Sequence, residues 1–366
     1  MNFSLRIMPH ELAAAVAACA QFAEPNSKIP ILKCLRIEVE AGFATFVATN
    51  TEQSIVIRAA CEGEGSACID AAALQAKVSR LKGGDPVKFD MAETMVVVSH
   101  GRTKWKLPSM TDEFPQQVAK IIEAEPVDLP ANFLSWVRQV EAAINPNDAR
   151  DYLRGVNIRG GSMRATDGKK ASSFATGLDL PEITIPMSAI KKLATIGQGP
   201  IKLASNSLTA SFFNEFVRVN TQLIGDNYPD LGRVISGARE TSPHSVIVDA
   251  GEIRAAVERA AAIKVDTEKA GSYIALQFRI RETEIEIATR NRDGEEGIDY
   301  AACRRTGADA DVAVDASTFL TIAGSLPAIR LRINYGGQEN PLIISDADAK
   351  DDDPENVRVV MPRHWR

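Results

Sequence analysis

What this chain lacks narrows its chemistry. Histidine occurs only four times in 366 residues, as His10, His100, His244 and His364, in unlike contexts. No two of them stand four apart, so the pairing that holds a metal on one face of a helix is missing. Neither GxSxG nor GxxxxGK[ST] occurs, which removes the signs of a nucleophile elbow and of a phosphate-cradling loop. The five cysteines show no CxxC spacing. Cys19 and Cys34 lie among apolar residues, as buried free thiols of a reducing compartment do. No apolar run approaches the length of a membrane span, and the N-terminus has no signal-peptide core. Asp346, Asp348, Asp351, Asp352, Asp353 and Glu355 match a calcium loop only loosely, because the glycine for its sharp turn is absent; a solvated acidic loop is the better reading. No catalytic residue, metal site or cofactor is expected.

What is present is a long repeat. Ala48-Thr49-Asn50, Ala165-Thr166-Asp167 and Ala288-Thr289-Arg290 lie 117 and 123 residues apart, close to a third of the chain each time. A period of that length marks a copied domain rather than a solenoid unit. Each third opens with an apolar-striped segment that predicts a helix, over 10–23, 130–144 and 250–264. Alternating strands follow at 35–39, 156–158 and 276–280, and the Ala-Thr-X marker ends the next strand in every copy. Asp167-Gly168 predicts a tight turn after the middle marker. Second helices are predicted over 71–82, 187–197 and 315–327, with Asp70 and Asp315 as N-caps and Pro186 in the first helical position. Further strands at 86–89, 200–203 and 328–331, then 95–99, 208–213 and 342–345, complete each copy. Linkers are expected at 123–128 and 237–244. The reading is an α+β chain of three tandem two-helix, antiparallel-sheet domains, 1–124, 125–241 and 242–366.

Charge is unevenly placed. The six predicted helices together carry +4, which leaves −10 on the rest of a chain whose net charge is −6. Lys77, Arg80 and Lys82 fall in one helix, Lys191 and Lys192 in another, without an acid in either. Basic helices on an acidic protein suggest a segregated surface for phosphate, although ordinary solvated faces read the same way.

Several motifs in register now point to a family. Lys28-Ile29-Pro30-Ile31-Leu32, Tyr152-Leu153-Arg154-Gly155, Ala165-Thr166-Asp167-Gly168, Tyr228-Pro229-Asp230 and Val359-Val360-Met361-Pro362, with the threefold repeat, resemble the bacterial sliding clamp, the β subunit of DNA polymerase III. The resemblance runs in order along essentially the whole chain. It implies a non-enzymatic processivity factor in the bacterial cytoplasm, associated with the nucleoid. It further implies a head-to-tail homodimer, a six-domain ring that encloses duplex DNA without reading sequence. By position, the DNA-facing residues would be Lys28, Lys77, Arg80, Lys82, Arg138, Asn147, Tyr152, Lys191, Lys192, Arg254 and Arg259. Asn26 stands where the family has an arginine, and Lys28 is the nearby cation.

Ring closure would join two strand edges. One carries Arg102, Lys104, Trp105 and Leu107; the other carries Asp293, Glu295, Glu296 and Asp299, with Ile263 nearby. Opposite charges would set direction, and Trp105 with Leu107 a buried centre; an aromatic strand covered within its own domain is the alternative. The resemblance also implies a groove for short peptides of the polymerase catalytic subunit, the clamp loader and other clamp-binding proteins. It would be lined by Leu153, Thr166, Gly168, Lys169, Lys170, Pro229, Arg233, Val234, Val360, Met361 and Pro362. Lys169-Lys170-Ala171 and the tail Arg363-His364-Trp365-Arg366 depart from the family pattern, which implies a more cationic rim and an altered peptide preference. An accessory clamp, a ring-like scaffold that does not slide on DNA, and an enzyme with scattered residues are the competing readings.

Overall fold

The computed structural model describes residues 3–110, 113–115, 124–197, 199–225, 227–263, 274–291, 294–349 and 356–363. Within them lie seven α-helices: α1 (Pro9–Ala20), α2 (Ala71–Val78), α3 (Phe133–Glu141), α4 (Met187–Leu193), α5 (Leu231–Thr241), α6 (Ala250–Ala260) and α7 (Ala316–Gly324). Six fall where the repeat places them, each shorter than its apolar stripe. The stripe outlasts the helix because residues in the exit turn, such as Phe22, are still buried. Arg80 and Lys82 therefore follow α2 instead of riding on it. Lys264, the expected end of the third opening helix, is outside the described residues.

Three of these helices start on the same device. Asp70, Asp249 and Asp315 each end a strand and accept from the amide three residues on, at 2.7, 2.8 and 2.7 Å. This satisfies one of the free N–H groups of the first turn. Pro186 stands one place earlier than expected, as the last residue of the strand Ile183–Pro186.

The seventh helix corrects the sequence reading. Residues 237–244 are no linker, since α5 runs through Thr241 and the strand His244–Asp249 follows. Gly232, Ser236 and Gly237 hide α5 by lowering its helix propensity. Asp230, accepting from the amides of Gly232 and Arg233 at 3.1 and 3.4 Å, starts it.

The chain divides into two compact units, Met1–Phe133 with Ser188–Leu223, and Leu134–Met187 with Ile224–Arg366. The first unit holds a twelve-stranded antiparallel sheet. Its strands run in the order Phe3–Ile7, Val87–Ala92, Met95–His100, Thr103–Met110, Glu62–Asp70, Cys34–Glu40, Phe43–Thr49, Gln53–Ala60, Val217–Gln222, Thr209–Phe213, Ile201–Ser205 and Val127–Leu129. The second unit holds another sheet of twelve: Ile183–Pro186, Gly155–Arg159, Ser162–Thr166, Lys170–Ala175, Val357–Val360, Leu342–Asp346, Arg330–Tyr335, His244–Asp249, Glu296–Thr306, Glu284–Arg290, Ala275–Ile280 and Ala310–Asp315.

Both sheets cross the boundaries of the repeat. In the first, Ile57 of the opening copy pairs with Val217 of the middle one. In the second, Lys170 of the middle copy pairs with Val360 of the last. A strand edge left by one copy is thus covered by the next, which is how an open sheet avoids an exposed row of backbone donors and acceptors.

The repeated marker has a structural cause. Thr166 Oγ1 donates to the carbonyl of Lys170 at 2.7 Å and accepts from the amide of Gly168 at 3.0 Å. In the first copy, Thr49 Oγ1 donates to the carbonyl of Gln53 at 2.8 Å and accepts from the amide of Thr51 at 2.9 Å. The following side chain, Asp167 or Asn50, accepts from the amide three residues on at 3.0 or 2.8 Å. In these two copies the marker is a turn-closing hydroxyl followed by a turn-closing amide or carboxylate; in the third, Thr289 Oγ1 donates instead to the carbonyls of Ala260 and of Gly297, the latter at 3.2 Å, and Arg290 offers no acceptor.

Candidate peptide groove, cationic residues and sheet edges

The richest convergence of sequence-predicted site residues lies in the second unit, around α5. Leu231, Ile235 and Ala238 form the buried stripe of that helix. They cluster with Leu153, Ala171, Tyr228, Ile343, Val357 and Val359, and Tyr152 packs against the cluster. The spacing of positions 231, 235 and 238 puts all three on one face. At the flank of that stripe Val234 is 46% exposed, and at the end of the strand Val357–Val360 Met361 is 41% exposed. Met361 donates its amide to the carbonyl of Lys169 at 2.9 Å, which sets these two residues side by side. Exposed Pro229, Arg233, Gly168 and Lys169 complete an apolar strip with a cationic border. Leu153, Thr166 and Val360 are buried; they form the support beneath the strip.

The 166–170 turn is held from outside by an arginine the sequence reading passed over. Arg150 donates to the carbonyl of Asp167 at 2.7 Å and, through Nε and Nη2, to both carboxylate oxygens of Asp148 at 2.9 and 3.0 Å. The hydrogen bonds from Arg150 hold the Asp148 carboxyl down at about 2. Gly168 has φ +80°, and a Cβ there would stand 3.2 Å from the Arg150 guanidinium.

Lys170 does not sit on the rim as expected. Its ammonium turns inward and donates to the carbonyl of Ala142 at 2.8 Å, with an Asp167 carboxylate oxygen at 3.9 Å. Burial pushes its pKa down, while Asp167 and Asp315 act in the other direction. Of the two lysines only Lys169 adds charge to the border. His364, Trp365 and Arg366 of the tail lie outside the described residues.

The residues assigned to DNA divide into exposed and engaged groups. Lys28, Arg80, Lys82, Arg138, Asn147 and Lys191 are exposed. Lys77 donates to the carbonyl of Ala73 at 3.2 Å, and Arg254 to that of Ala250 at 2.9 Å. The Lys192 ammonium lies 4.6 Å from the centre of the Phe22 ring, and burial lowers its pKa. Arg259 is committed to Asp299, at 2.6 Å from Nε and 3.2 Å from Nη2.

Two strands inside the sheets pair along only part of one edge, while Val127–Leu129, Ile183–Pro186 and Ala310–Asp315 end the sheets with one partner strand each among the described residues. Thr103–Met110 pairs with Met95–His100 from Thr103 to Pro108, but with Glu62–Asp70 only at Ser109 and Met110. Glu296–Thr306 pairs with Glu284–Arg290 from Glu296 to Ala302, and with His244–Asp249 only from Cys303 onward. On the first edge Arg102 and Lys104 are exposed, Trp105 is half-buried and Leu107 belongs to the core. On the second, Ile298 and Tyr300 are 52% and 49% exposed. Alternation over 296–300 was the signal that could have found them. Glu296 pairs with Arg290 at 3.4 Å, and Asn291 donates to Glu295 at 2.9 Å. Ile263 is half-buried, and Asp293 falls outside the described residues.

No helix of the described residues is long and apolar enough to cross a membrane, and none of their His, Cys, Asp and Glu side chains group as a metal site. Comparison with known proteins gives one answer at three levels. Residues 1–118 match the family model for the N-terminal domain of the DNA polymerase III beta subunit. The beta sliding clamp of Vibrio cholerae is 22% identical over 354 residues, 92% of this chain and 93% of that protein. That of Escherichia coli is 22% identical over 353 residues, 91% and 92% of the two chains. Among solved structures, the DNA polymerase III subunit beta of Pseudomonas aeruginosa superimposes with a TM-score of 0.88 at 19% identity, covering 100% of both chains. The sliding clamp of Bacillus subtilis gives 0.88 at 18%, again over 100% of both. With the repeated domain, the two long sheets and the motifs in register, the chain has the fold of the bacterial sliding clamps, carries the N-terminal domain of the DNA polymerase III beta subunit over residues 1–118, and is similar to those clamps over nine-tenths of its length.

Proposed function

We propose that the chain acts as a DNA sliding clamp, a non-catalytic processivity factor of a bacterial replisome that works in the cytoplasm at the nucleoid. Two copies, each of three clamp domains over 1–124, 125–241 and 242–366, close head to tail around duplex DNA. The observation that carries this reading is the pair of open strand edges, one at 103–107 with exposed Lys104, the other at 296–302 with exposed Glu296, Ile298 and Tyr300. An unpaired strand edge invites another chain, and a head-to-tail interface must close on itself or grow into fibres. Exposed Arg80, Lys82, Arg138 and Lys191 offer phosphate partners that hold the duplex without fixing a register.

The strip beside α5 takes short peptides of the polymerase catalytic subunit, the clamp loader and other partners. Val234 and Met361 meet their apolar anchors, and Lys169 and Arg233 their acids. The test is topological. Protein loaded by a clamp loader on a nicked circle is expected to stay there and to leave when the circle is cut. Retention that follows salt alone and ignores linearisation would remove the clamp reading.

A further inference from the structure

The first unit carries a group of residues that neither the ring nor the α5 strip uses. In its sheet Lys202 lies opposite Phe213, Phe213 opposite Arg218, and Arg218 opposite Val56. Cross-strand partners share a face, so these four form one row, with strands about 4.8 Å apart. The row is on the face opposite buried Ile55 and Ile57; Val56 closes its inner end by packing against the small cluster of Ile31, Leu32, Val47 and Phe114, and the row opens outward from Arg218. Arg58, two residues beyond Val56, shares that face and donates its amide to the carbonyl of Phe216 at 2.8 Å.

Two guanidiniums here are stacked on rings and matched to no acid. Arg218 lies 4.2 Å from the centre of the Phe213 ring and Arg58 4.7 Å from that of Phe43. Arg218 donates to Ser211 Oγ at 3.2 Å. Among the described residues neither arginine is in an ion pair. The other sheet treats its outer arginines differently: Arg281 is held by Asp311 at 2.9 Å, and Arg279 by Glu286. A stacked guanidinium keeps its N–H edge free for an oxyanion. Lys202 adds a third cation; its 3.6 Å pair with Asp128 is exposed on both sides and weak.

Beside the row is a cavity of about 500 Å³ walled by Pro200, Phe213 and Phe216, the last 53% exposed, with Lys202 and Glu215 at its border. We infer that this face is a second docking surface, for an acidic peptide segment with one apolar anchor: the anchor enters the cavity beside Phe216 and the acids extend across Arg218 and Arg58. Glu215, the one acid lining the cavity, sets that direction by repelling carboxylates from the anchor end. A single-stranded nucleic acid fits less well. It needs a series of free ring faces, and Phe43 and Phe213 are already covered by arginine, which leaves Phe216 alone.

The probe is a short fluorescein-labelled peptide of Asp and Glu residues around a single Phe, titrated by polarisation against the full chain. Arg58→Glu and Phe216→Ala, both at exposed positions, should each weaken binding by about tenfold, and rising salt should weaken it further. The titrations are made in a Val234→Glu background, which closes the α5 strip to such a peptide and keeps this result separate from the fate of that strip. The inference is overturned if Arg58→Glu and Phe216→Ala bind as the parent does. It is overturned equally if the Val234→Glu chain itself does not bind, or if a short single-stranded oligonucleotide displaces the peptide at equal concentration.

Discussion

The ammonium of Lys170 is bonded to the carbonyl of Ala142 at 2.8 Å, tying the turn of the middle marker to the residue that follows α3. The last carbonyls of a helix have no partner within it, and a lysine there also meets the negative end of the helix dipole. α3 carries Arg138, a DNA-facing candidate, and the turn borders the peptide strip. One half-buried side chain therefore mechanically joins the two proposed binding regions of the second unit.

Lys170→Met tests that tie through pH. Burial lowers the lysine pKa in the folded chain below its ordinary 10.5. Between the lowered value and 10.5 the unfolded chain still holds a proton that the folded chain has released, so stability rises with pH across that window. Below it both states are protonated, and the folded state bears the full cost of a desolvated cation. The stability of the parent relative to Lys170→Met, from urea unfolding, should rise as pH climbs from neutral toward 10.5. A flat difference would mean that the ammonium is well solvated.

Gly168 is held to a positive φ of 80° under the Arg150 guanidinium, whereas Thr51 occupies the matching turn position of the first copy at φ 77°. A side chain is therefore tolerable in that backbone shape, and the close arginine is what distinguishes the middle turn. Gly168→Ala should cost about 1 kcal/mol from backbone strain. The displaced Arg150 should also weaken binding at the α5 strip. Arg150→Ala alone should weaken binding to a similar extent, and adding Gly168→Ala to it should weaken binding little further; if the two losses add in full, the proximity of Arg150 is not the reason.

How much of this was readable follows from what each feature depends on. The paired helices, the caps at Asp70 and Asp315 and the turn at Asp167-Gly168 rest on neighbours within a few residues, and the sequence patterns located them; Asp249, which caps by the same bond, was not among them. The joins of Ile57 to Val217 and of Lys170 to Val360 link segments far apart in the chain; alternation shows that a strand exists, not which edge it meets. α5 was missed because its glycines read as loop, and only Asp230 and the 231, 235, 238 spacing spoke for it. Arg358 was not foreseen at all. It is fully buried in the second unit, bonded to Ser325 Oγ and to the Ser173 carbonyl at 3.0 Å each. Nothing in Val357-Arg358-Val359 separates such an arginine from one that reaches solvent.

The sheet edges give a prediction that separates association from folding. Ile298 and Tyr300 are exposed, so Ile298→Lys with Tyr300→Ala should shift the protein from dimer to monomer in sedimentation while leaving its melting temperature nearly unchanged. Leu107 belongs to the core, so Leu107→Ala should instead cost about 2–4 kcal/mol of stability. Dimers that survive the first change would place the interface elsewhere.

Arg259 offers the sharpest division between the two roles assigned to it. Both its Nε and its Nη2 donate to Asp299, whose carboxyl is held below the usual range by those bonds. A guanidinium spent on an edge carboxylate has little left for a phosphate, whereas Arg138 and Lys191 are exposed and in no ion pair among the described residues. Removing one cation that neutralises a phosphate should lower the slope of log affinity against log salt by about 0.9. Arg138→Ala and Lys191→Ala should each shrink the salt slope of DNA retention in this way. Arg259→Ala should leave that slope alone and tighten the dimer, because Asp299, released from its pair within the chain, is then free to meet the lysines of the partner edge. The reverse result, a smaller salt slope with an unchanged dimer, would return Arg259 to the DNA-facing set.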